Sequence, residues 1–129
     1  MKLKECQLRL YAVTDRAWAA DTDALLAQVA AAIDGGAGIV QLREKELPFG
    51  EFLEEARQFV ALCRELGAVS IINDNVEIAR LTGADGVHVG QSDMEAQKAR
   101  ALLGGDKILG VSAQTVEQAV LAEKNGADY

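Results

Sequence analysis

Short apolar segments alternate with amphipathic helical segments along the chain, and this alternation constrains the fold most strongly. The predicted strands cover residues 8–13, 38–43, 69–73, 86–89 and 108–111, and the predicted helices cover 21–34, 48–66, 75–81, 93–103 and 115–125. A repeated strand–helix–strand unit needs a crossover connection, which predicts parallel neighbouring strands with helices packed against them. Residues 127–129 resemble the start of a sixth strand.

The positions of the polar residues favour a barrel over an open sheet. Polar side chains follow several consecutive strands, as at a barrel mouth, whereas a doubly wound sheet concentrates its site at one switch point. A closed (β/α)8 barrel usually needs about 200 residues or more. We therefore expect residues 1–129 to form a single partial domain, a TIM barrel truncated to about five β-α units plus the start of strand six, within something longer.

Charge and hydropathy exclude several classes of partner. The formal net charge is −7, which disfavours binding to a nucleic-acid backbone. No run approaches the ~20 apolar residues of a membrane span, and the first residues do not resemble a signal peptide. Cys6 and Cys63 are isolated, as is typical of a reduced cytoplasmic protein. Small-molecule substrates remain as the expected partners, and pairing of two copies through open strand edges is left open.

The stretch from Ile39 to Lys45 carries the clearest chemical signal. Gln41, Arg43 and Lys45 occupy alternate positions at the end of a strand, so their side chains should point to one side. Such polar groups are costly to bury without a partner. Arg binds an anion as a planar fork and Lys binds it as a point charge, so this stretch predicts one wall of an anion site.

Two carboxylates that follow neighbouring strands predict a cation site. Asp74 follows the third strand and Asp93 follows the fourth, and adjacent strands lie about 4.8 Å apart. Both carboxylates can therefore converge on one hard cation such as Mg²⁺. The alternative is that each Asp caps the helix that follows it, and the sequence leaves both interpretations open. Ser92 and Glu95 are spaced as a capping box for the fourth helix.

Other polar residues have less distinctive patterns. Asn73 can satisfy a turn and Ser112 can be a loop hydroxyl, while His88 lies on a strand and is typical of a hydrogen-bonded core residue. Neither a Ser/His nor a Cys/His nucleophilic pair is evident. Glu55 and its charged neighbours on the second helix are predicted to form a solvated face, and Tyr11 is predicted to pack or to line a pocket wall.

The strand-end segments together resemble the thiamine-phosphate synthase family, the (β/α)8-barrel enzymes of vitamin B1 synthesis. Six segments carry the resemblance: Tyr11-Ala-Val-Thr-Asp15, Gln41-Leu-Arg-Glu-Lys45, Ile72-Asn-Asp-Asn75, Ala84-Asp-Gly-Val-His-Val-Gly-Gln-Ser-Asp93, Gly110-Val-Ser112 and Gly126-Ala-Asp-Tyr129. The resemblance implies a transferase that joins 4-amino-5-hydroxymethyl-2-methylpyrimidine diphosphate to thiazole phosphate. The products would be thiamine phosphate and pyrophosphate.

The same resemblance implies roles for individual residues. Substrate contacts are implied for Gln41, Leu42, Arg43, Glu44, Lys45, Asn73 and Ser112. Electrostatic roles are implied for Arg43 and Lys45, and Mg²⁺ ligation for Asp74 and Asp93. No protein nucleophile is implied, because the electron-rich aminopyrimidine stabilises its own cation until the thiazole nitrogen attacks.

Two alternatives to the synthase stay open. The family's later strands supply most of the thiazole-phosphate contacts, and these are missing from the sequence, so the chain alone is expected to have little synthase activity. It can then be a catalytically incompetent barrel fragment that acts only in binding or assembly. The other alternative is a thiazole tautomerase-like paralogue. The Asn73-Asp74 pair and the set of Gln41, Arg43 and Lys45 favour the synthase over this paralogue.

Overall fold

A computed structural model describes residues 2–129 of the chain. Within them the strands are β1 (Tyr11–Val13), β2 (Ile39–Leu42), β3 (Val69–Asn73), β4 (Gly86–Val89) and β5 (Ile108–Val111). The α-helices are α1 (Thr22–Asp34), α2 (Phe49–Leu66), α3 (Val76–Thr82), α4 (Ala96–Leu103) and α5 (Val116–Lys124). Each strand is followed by one α-helix, as the alternation predicts. None of the helices in residues 2–129 is both long enough and apolar enough to span a bilayer.

The sheet has the winding of a barrel. Its strands lie in the order β1-β2-β3-β4-β5, and every neighbouring pair is parallel. A doubly wound sheet would reverse direction at a switch point, and no reversal occurs within residues 2–129. The prediction of consecutive β-α units of a (β/α)8 barrel is therefore confirmed. Residues 127–129 run beside β5, where the Asp128 N–H donates to the Leu109 carbonyl at 2.7 Å.

Strand residues alternate between two buried layers. Outward-facing side chains pack against the helices in the main core, which includes Val40, Leu42, Ile72, Val87 and Leu109. Inward-facing side chains form a second cluster of Ile39, Val69, Ile71 and Ile108, covered by Leu3, Tyr11 and Tyr129. This period of two places Gln41 on the inner face and its neighbour Leu42 in the main core.

Two local predictions are wrong. The first strand begins at Tyr11 rather than at residue 8, because local turn hydrogen bonds form a 3-10 helix over Glu5–Leu8. The capping box of Ser92 and Glu95 does not form, and α4 begins at Ala96 without a side-chain cap within the described residues. The segment before α4 is instead folded back toward the end of β4, where its polar groups take part in the site described below.

Gly110 makes room at the centre of the inner face. A Cβ atom at this position would lie 2.2 Å from Tyr129 Cζ and 2.6 Å from His88 Nδ1. Both separations are far shorter than a van der Waals contact between heavy atoms. Only glycine therefore lets the Tyr129 and His88 rings approach each other across β5, with their ring centroids 5.5 Å apart.

We expect Gly110→Ala to destabilise the chain by about 1–3 kcal/mol, the usual cost of overpacking a buried site. Urea-induced unfolding followed by circular dichroism measures the change. The matched control is Gly50→Ala in α2, where an added Cβ meets nothing within 4 Å. That variant should be neutral or more stable by up to ~1 kcal/mol, since alanine is the better helix former. Equal unfolding midpoints for the two variants would contradict this explanation.

Candidate active site

Most of the polar residues singled out from the sequence converge at the carboxyl ends of β2 to β5. Parallel strands bring these ends to one edge of the sheet, where a (β/α) barrel has its mouth. Gln41 and Asn73 lie at the carboxyl ends of β2 and β3, and the others lie on the loops that follow the strands. The residues that meet at this edge are Gln41, Lys45, Asn73, Asp74, Asp93 and Ser112.

A chain of amides anchors the Lys45 ammonium to the inner face. Lys45 Nζ donates to Asn73 Oδ1 at 2.9 Å, and Asn73 Nδ2 donates to Gln41 Oε1 at 2.8 Å. Gln41 Nε2 donates in turn to the Tyr11 hydroxyl at 2.8 Å. Gln41 and Asn73 are buried, whereas Lys45 is exposed. The amides are therefore held in place while the ammonium retains donors for a ligand at the mouth.

The stretch from Gln41 to Lys45 divides between three environments. Leu42 is fully buried in the main core, and the Glu44 side chain is only 2% exposed beneath the loops. Arg43 is exposed, and its guanidinium has no hydrogen-bond or ion-pair partner within residues 2–129. Arg43 and Lys45 both line a cavity of about 600 Å³ between the loops after β1 and β2. These two cations are therefore the side chains of the stretch that a ligand at the mouth can reach.

Asp74 and Asp93 lie in direct contact, and neither acts as a helix cap. The cap of α3 is Asn75, whose Oδ1 accepts the Ile78 N–H at 2.9 Å, while Asp74 adopts a left-handed backbone with φ of 68°. Asp93 Oδ2 accepts the Gly90 N–H at 2.6 Å and precedes the start of α4. The capping alternative left open by the sequence is therefore wrong for both residues.

The two carboxylates shift each other's pKa in opposite directions. Burial and the adjacent Asp93 raise the pKa of Asp74. Burial opposes the ionisation of Asp93, but hydrogen bonds from the Gly90 N–H and from Asp74 outweigh it and lower the Asp93 pKa. The Lys45 charge favours the ionised form of both residues. Two adjacent carboxylates repel each other when both are ionised, and a bound hard cation would relieve that repulsion.

The donor set fits Mg²⁺ in particular. Within residues 2–129 no group of three or more His, Cys, Asp or Glu side chains could hold a metal ion. The protein therefore offers only Asp74 and Asp93 at this point. Mg²⁺ is commonly held by one or two carboxylates, with substrate phosphates and water as its other ligands, so a two-carboxylate set is sufficient.

The structure joins Ser112 to His88, a pair that the sequence did not reveal. His88 Nε2 lies 2.7 Å from Ser112 Oγ, although the residues are 24 positions apart. They meet because β4 and β5 are paired neighbours and both side chains lie at the same end of the inner face. Burial lowers the pKa of His88, although Asp93 acts in the opposite direction.

Tyr129 is a second residue that the sequence analysis missed. Its hydroxyl lies 2.5 Å from the Tyr11 hydroxyl and 3.2 Å from His88 Nδ1. Burial raises the pKa of both tyrosines, so each keeps its proton at neutral pH. Arg100 fixes the backbone before Tyr129 by donating through Nη2 to the Gly126 carbonyl and to Asp128 Oδ2, at 2.6 Å each.

The prediction that Glu55 lies on a solvated face is wrong. This α2 residue is 2% exposed, because Arg16 reaches over from the loop after β1 and pairs with it. Arg16 Nη1 lies 2.6 Å from Glu55 Oε2 and 3.4 Å from Glu44 Oε1. The Thr22 hydroxyl also donates to Glu55 Oε2, at 2.7 Å. Helical periodicity gave no sign of this burial, because the two partners of the ion pair are 39 positions apart in the chain.

The Glu44 carboxyl lies buried next to Glu55 and Arg16. Burial and the neighbouring Glu55 raise the pKa of Glu44 to about 7, although Arg16 opposes the shift. Within the described part of the chain, the buried Glu55 Oε1 atom lacks a conventional hydrogen-bond partner. Arg16 bridges Glu44 on the loop after β2 and Glu55 on α2, and so ties that loop to the helix.

We expect Glu44→Gln to remove part of the pH dependence of stability. The folded chain binds the Glu44 proton more tightly than the unfolded chain, in which the pKa of Glu44 is 4.5. The free energy of unfolding that this protonation contributes is therefore fully present below pH 4.5 and is lost as the pH rises through about 7. At pH 8 the variant should be more stable than the native chain, on the order of 1 kcal/mol, the scale of one pKa unit.

Urea unfolding at pH 5, 6, 7 and 8 tests this expectation. Glu65→Gln, which removes an exposed charge at the end of α2, is the control and should leave the pH dependence unchanged. If Glu44→Gln shows the same pH dependence as the native chain, the raised pKa of Glu44 is refuted.

Comparisons with known proteins agree on one family. A family model described as thiamine monophosphate synthase matches residues 10–129. The thiamine-phosphate synthase of Clostridium acetobutylicum is 47% identical over 127 residues, which cover 98% of this chain and 60% of that protein. The chloroplastic thiamine biosynthetic bifunctional enzyme of Arabidopsis thaliana is 52% identical over 126 residues, covering 95% of this chain and 24% of that protein.

Solved structures give the same assignment of the fold. The thiamine phosphate pyrophosphorylase of Pyrococcus furiosus matches with a TM-score of 0.86 and 35% identity, covering 96% of this chain and 59% of that one. A deoxyribose phosphate aldolase from Aeropyrum pernix matches with a TM-score of 0.69 at 20% identity, covering 92% of this chain and 61% of that one. This match shows the barrel fold alone. The chain thus spans about 60% of the length of the bacterial synthase and of these structures.

Proposed function

The chain belongs to the thiamine monophosphate synthase family, and from this premise we propose that its mouth binds a pyrimidine diphosphate for thiamine phosphate synthesis. The proposed reaction joins 4-amino-5-hydroxymethyl-2-methylpyrimidine diphosphate to thiazole phosphate and releases pyrophosphate. The synthase relatives favour this reaction over that of a tautomerase-like paralogue. The observation that supports it most directly is the closeness of Lys45 to the Asp74–Asp93 pair, since Lys45 also lines a cavity together with Arg43.

Arg43 and Lys45 would act on the diphosphate group electrostatically. As the bond to the pyrimidine methylene carbon breaks, negative charge grows on the departing pyrophosphate. The exposed Arg43 guanidinium and the Lys45 ammonium already face the cavity, so little reorganisation is needed to neutralise that charge. The aminopyrimidine stabilises its own cation, and the thiazole nitrogen is the nucleophile. The contribution proposed for this chain is therefore positioning and charge stabilisation.

Asp74 and Asp93 are the residues that we propose hold Mg²⁺. When bound, the cation would neutralise oxygen charges of the diphosphate and so assist its departure. Asp93 is held in place by the Gly90 N–H, and the Lys45 charge lies close to both carboxylates. The carboxylates and Lys45 would then grip the same diphosphate, the former through the metal and the latter directly.

Two further expectations stay predictions. Self-association agrees with the exposed apolar side chains on β1 and on α5, where Val13 is 51% exposed and Val116 is 76% exposed. A cytoplasmic location agrees with the cysteines in the described residues, since Cys6 and Cys63 are both free thiols. Burial raises the pKa of the Cys63 thiol to about 12, so this thiol is inert packing as the sequence indicates.

We expect Asp74→Asn and Asp93→Asn each to weaken Mg²⁺-dependent binding of pyrophosphate by about tenfold or more, because each removes a charged ligand worth roughly 1.5–3 kcal/mol. Isothermal titration calorimetry with pyrophosphate, once in about 5 mM Mg²⁺ and once in EDTA, measures the effect. Asp34→Asn, an exposed change at the end of α1, is the control. Unchanged Mg²⁺ dependence in both site variants would exclude the metal role.

We expect Arg43→Ala to weaken pyrophosphate binding by about 1.5–3 kcal/mol, the scale of a hydrogen bond to a charged group. The loss should appear with and without Mg²⁺, because the guanidinium contacts the anion directly. Arg57→Ala removes an equivalent charge from the exposed face of α2 and should change affinity little. Equal losses in the two variants would indicate a general charge effect and would refute a specific contact by Arg43.

A further inference from the structure

A continuous chain of hydrogen bonds crosses the inner face from one side of the mouth to the other. It begins at the Lys45 ammonium and ends at the Ser112 hydroxyl, and every link is 3.2 Å or shorter. In order, its members within residues 2–129 are Lys45, Asn73, Gln41, Tyr11, Tyr129, His88 and Ser112. Because the links are contiguous, the direction of one proton determines the direction of the next.

Lys45 sets the direction at its end of the chain. An ammonium group carries only donors, so the Asn73 atom that faces it must be the carbonyl Oδ1. The other end of that amide, Nδ2, then faces Gln41 and requires an acceptor, Oε1. Gln41 is left with its Nε2 donor toward the Tyr11 hydroxyl oxygen. Chemistry alone thus fixes both amide orientations.

The hydrogen bonds of the two tyrosine hydroxyls run in the same donor-to-acceptor direction. Tyr11 accepts from Gln41, and the remaining partner for its own proton among the described residues is the Tyr129 oxygen. Tyr129, having accepted that proton, directs its own proton at His88 Nδ1. The reverse order would leave the Tyr11 hydroxyl proton buried without an acceptor, which is the costlier arrangement.

His88 converts this direction into a defined tautomer. Its Nδ1 accepts the Tyr129 proton and so carries none of its own, which leaves the ring proton on Nε2. That N–H donates to Ser112 Oγ at 2.7 Å. Ser112 is exposed and lies directly after β5, so its own proton is free to point into the mouth. An Nε2–H group has no lone pair to accept a proton from Ser112, so this pair is not a nucleophile and its base.

We propose that this chain fixes Ser112 as a hydrogen-bond donor toward an anion at the mouth, with His88, Tyr129 and Tyr11 as positioning residues. Lys45 and Ser112 then present donors to the same ligand from opposite ends of one network. The identity of the anion as a diphosphate rests on the proposed function, whereas the direction of the hydrogen bonds does not. The tyrosines thereby gain a role that packing alone would not give them.

The tautomer of His88 tests the direction of the chain in the absence of any ligand. His88 is the only histidine in the sequence, so ring ¹⁵N resonances of the untagged, labelled protein report it without ambiguity. We expect Nε2–H with an unprotonated Nδ1. Tyr129→Phe and Tyr11→Phe, which keep the rings but remove hydroxyls, should each give a mixture of tautomers. Thr82→Val, which removes a hydroxyl on α3, should not change the native spectrum. A native Nδ1–H tautomer overturns the proposal.

A double-mutant cycle tests whether Tyr129 acts through Ser112. With pyrophosphate and Mg²⁺, Ser112→Ala should weaken binding about tenfold and Tyr129→Phe several-fold. The double variant should bind no worse than Ser112→Ala, because the tyrosine has no other route to the ligand. Additive losses overturn the positioning role. If the native chain shows the Nε2–H tautomer but fails to bind pyrophosphate, the proposed function fails while the direction of the hydrogen-bond chain stands.

Discussion

The contact between the Tyr11 and Tyr129 hydroxyls joins the two margins of the sheet. Tyr11 lies on β1 at one edge, and Tyr129 lies beside β5 at the other, yet their oxygen atoms are 2.5 Å apart. A five-stranded parallel sheet can bring its edges so close only by curling strongly about its inner face. The inner cluster of Ile39, Val69, Ile71 and Ile108 fills the space inside this curl. Polar groups then occupy only the end of that interior nearest the mouth.

The charges at the mouth depend on this arrangement. Lys45 is attached to the inner network through Asn73 and also lies near Asp74 and Asp93. Its single charge therefore offsets part of the charge of the acidic pair, in a chain whose net charge is −7. Local composition, and not the net charge, decides what can bind in such a cleft. Arg43 has no hydrogen-bond or ion-pair partner within residues 2–129. Its positive charge is therefore not neutralised by Asp74 and Asp93.

Sequence reasoning succeeded where one short segment carried the information. Alternation along a strand was enough to place Gln41 on the inner face, and the repeated β-α pattern was enough to predict the winding. It failed where two distant segments had to meet. Glu55 looked solvated because its burial depends on Arg16, and the His88–Ser112 contact depends on the pairing of β4 with β5. The capping interpretation of Asp74 failed because the adjacent Asn75 is equally suited to cap and takes that position.

The backbone at Asp74 shows where this otherwise consistent chain is frustrated. A left-handed conformation suits glycine or asparagine better than aspartate, and the carboxylate here also lies against a second one. Both features oppose folding at a single residue, while its neighbours in β3 and α3 follow their local preferences. Under the proposed function, folding and ligand binding therefore make opposite demands on this position. A replacement that relaxes the turn removes an acidic oxygen from the mouth, so the change that stabilises the chain here would weaken the proposed metal site.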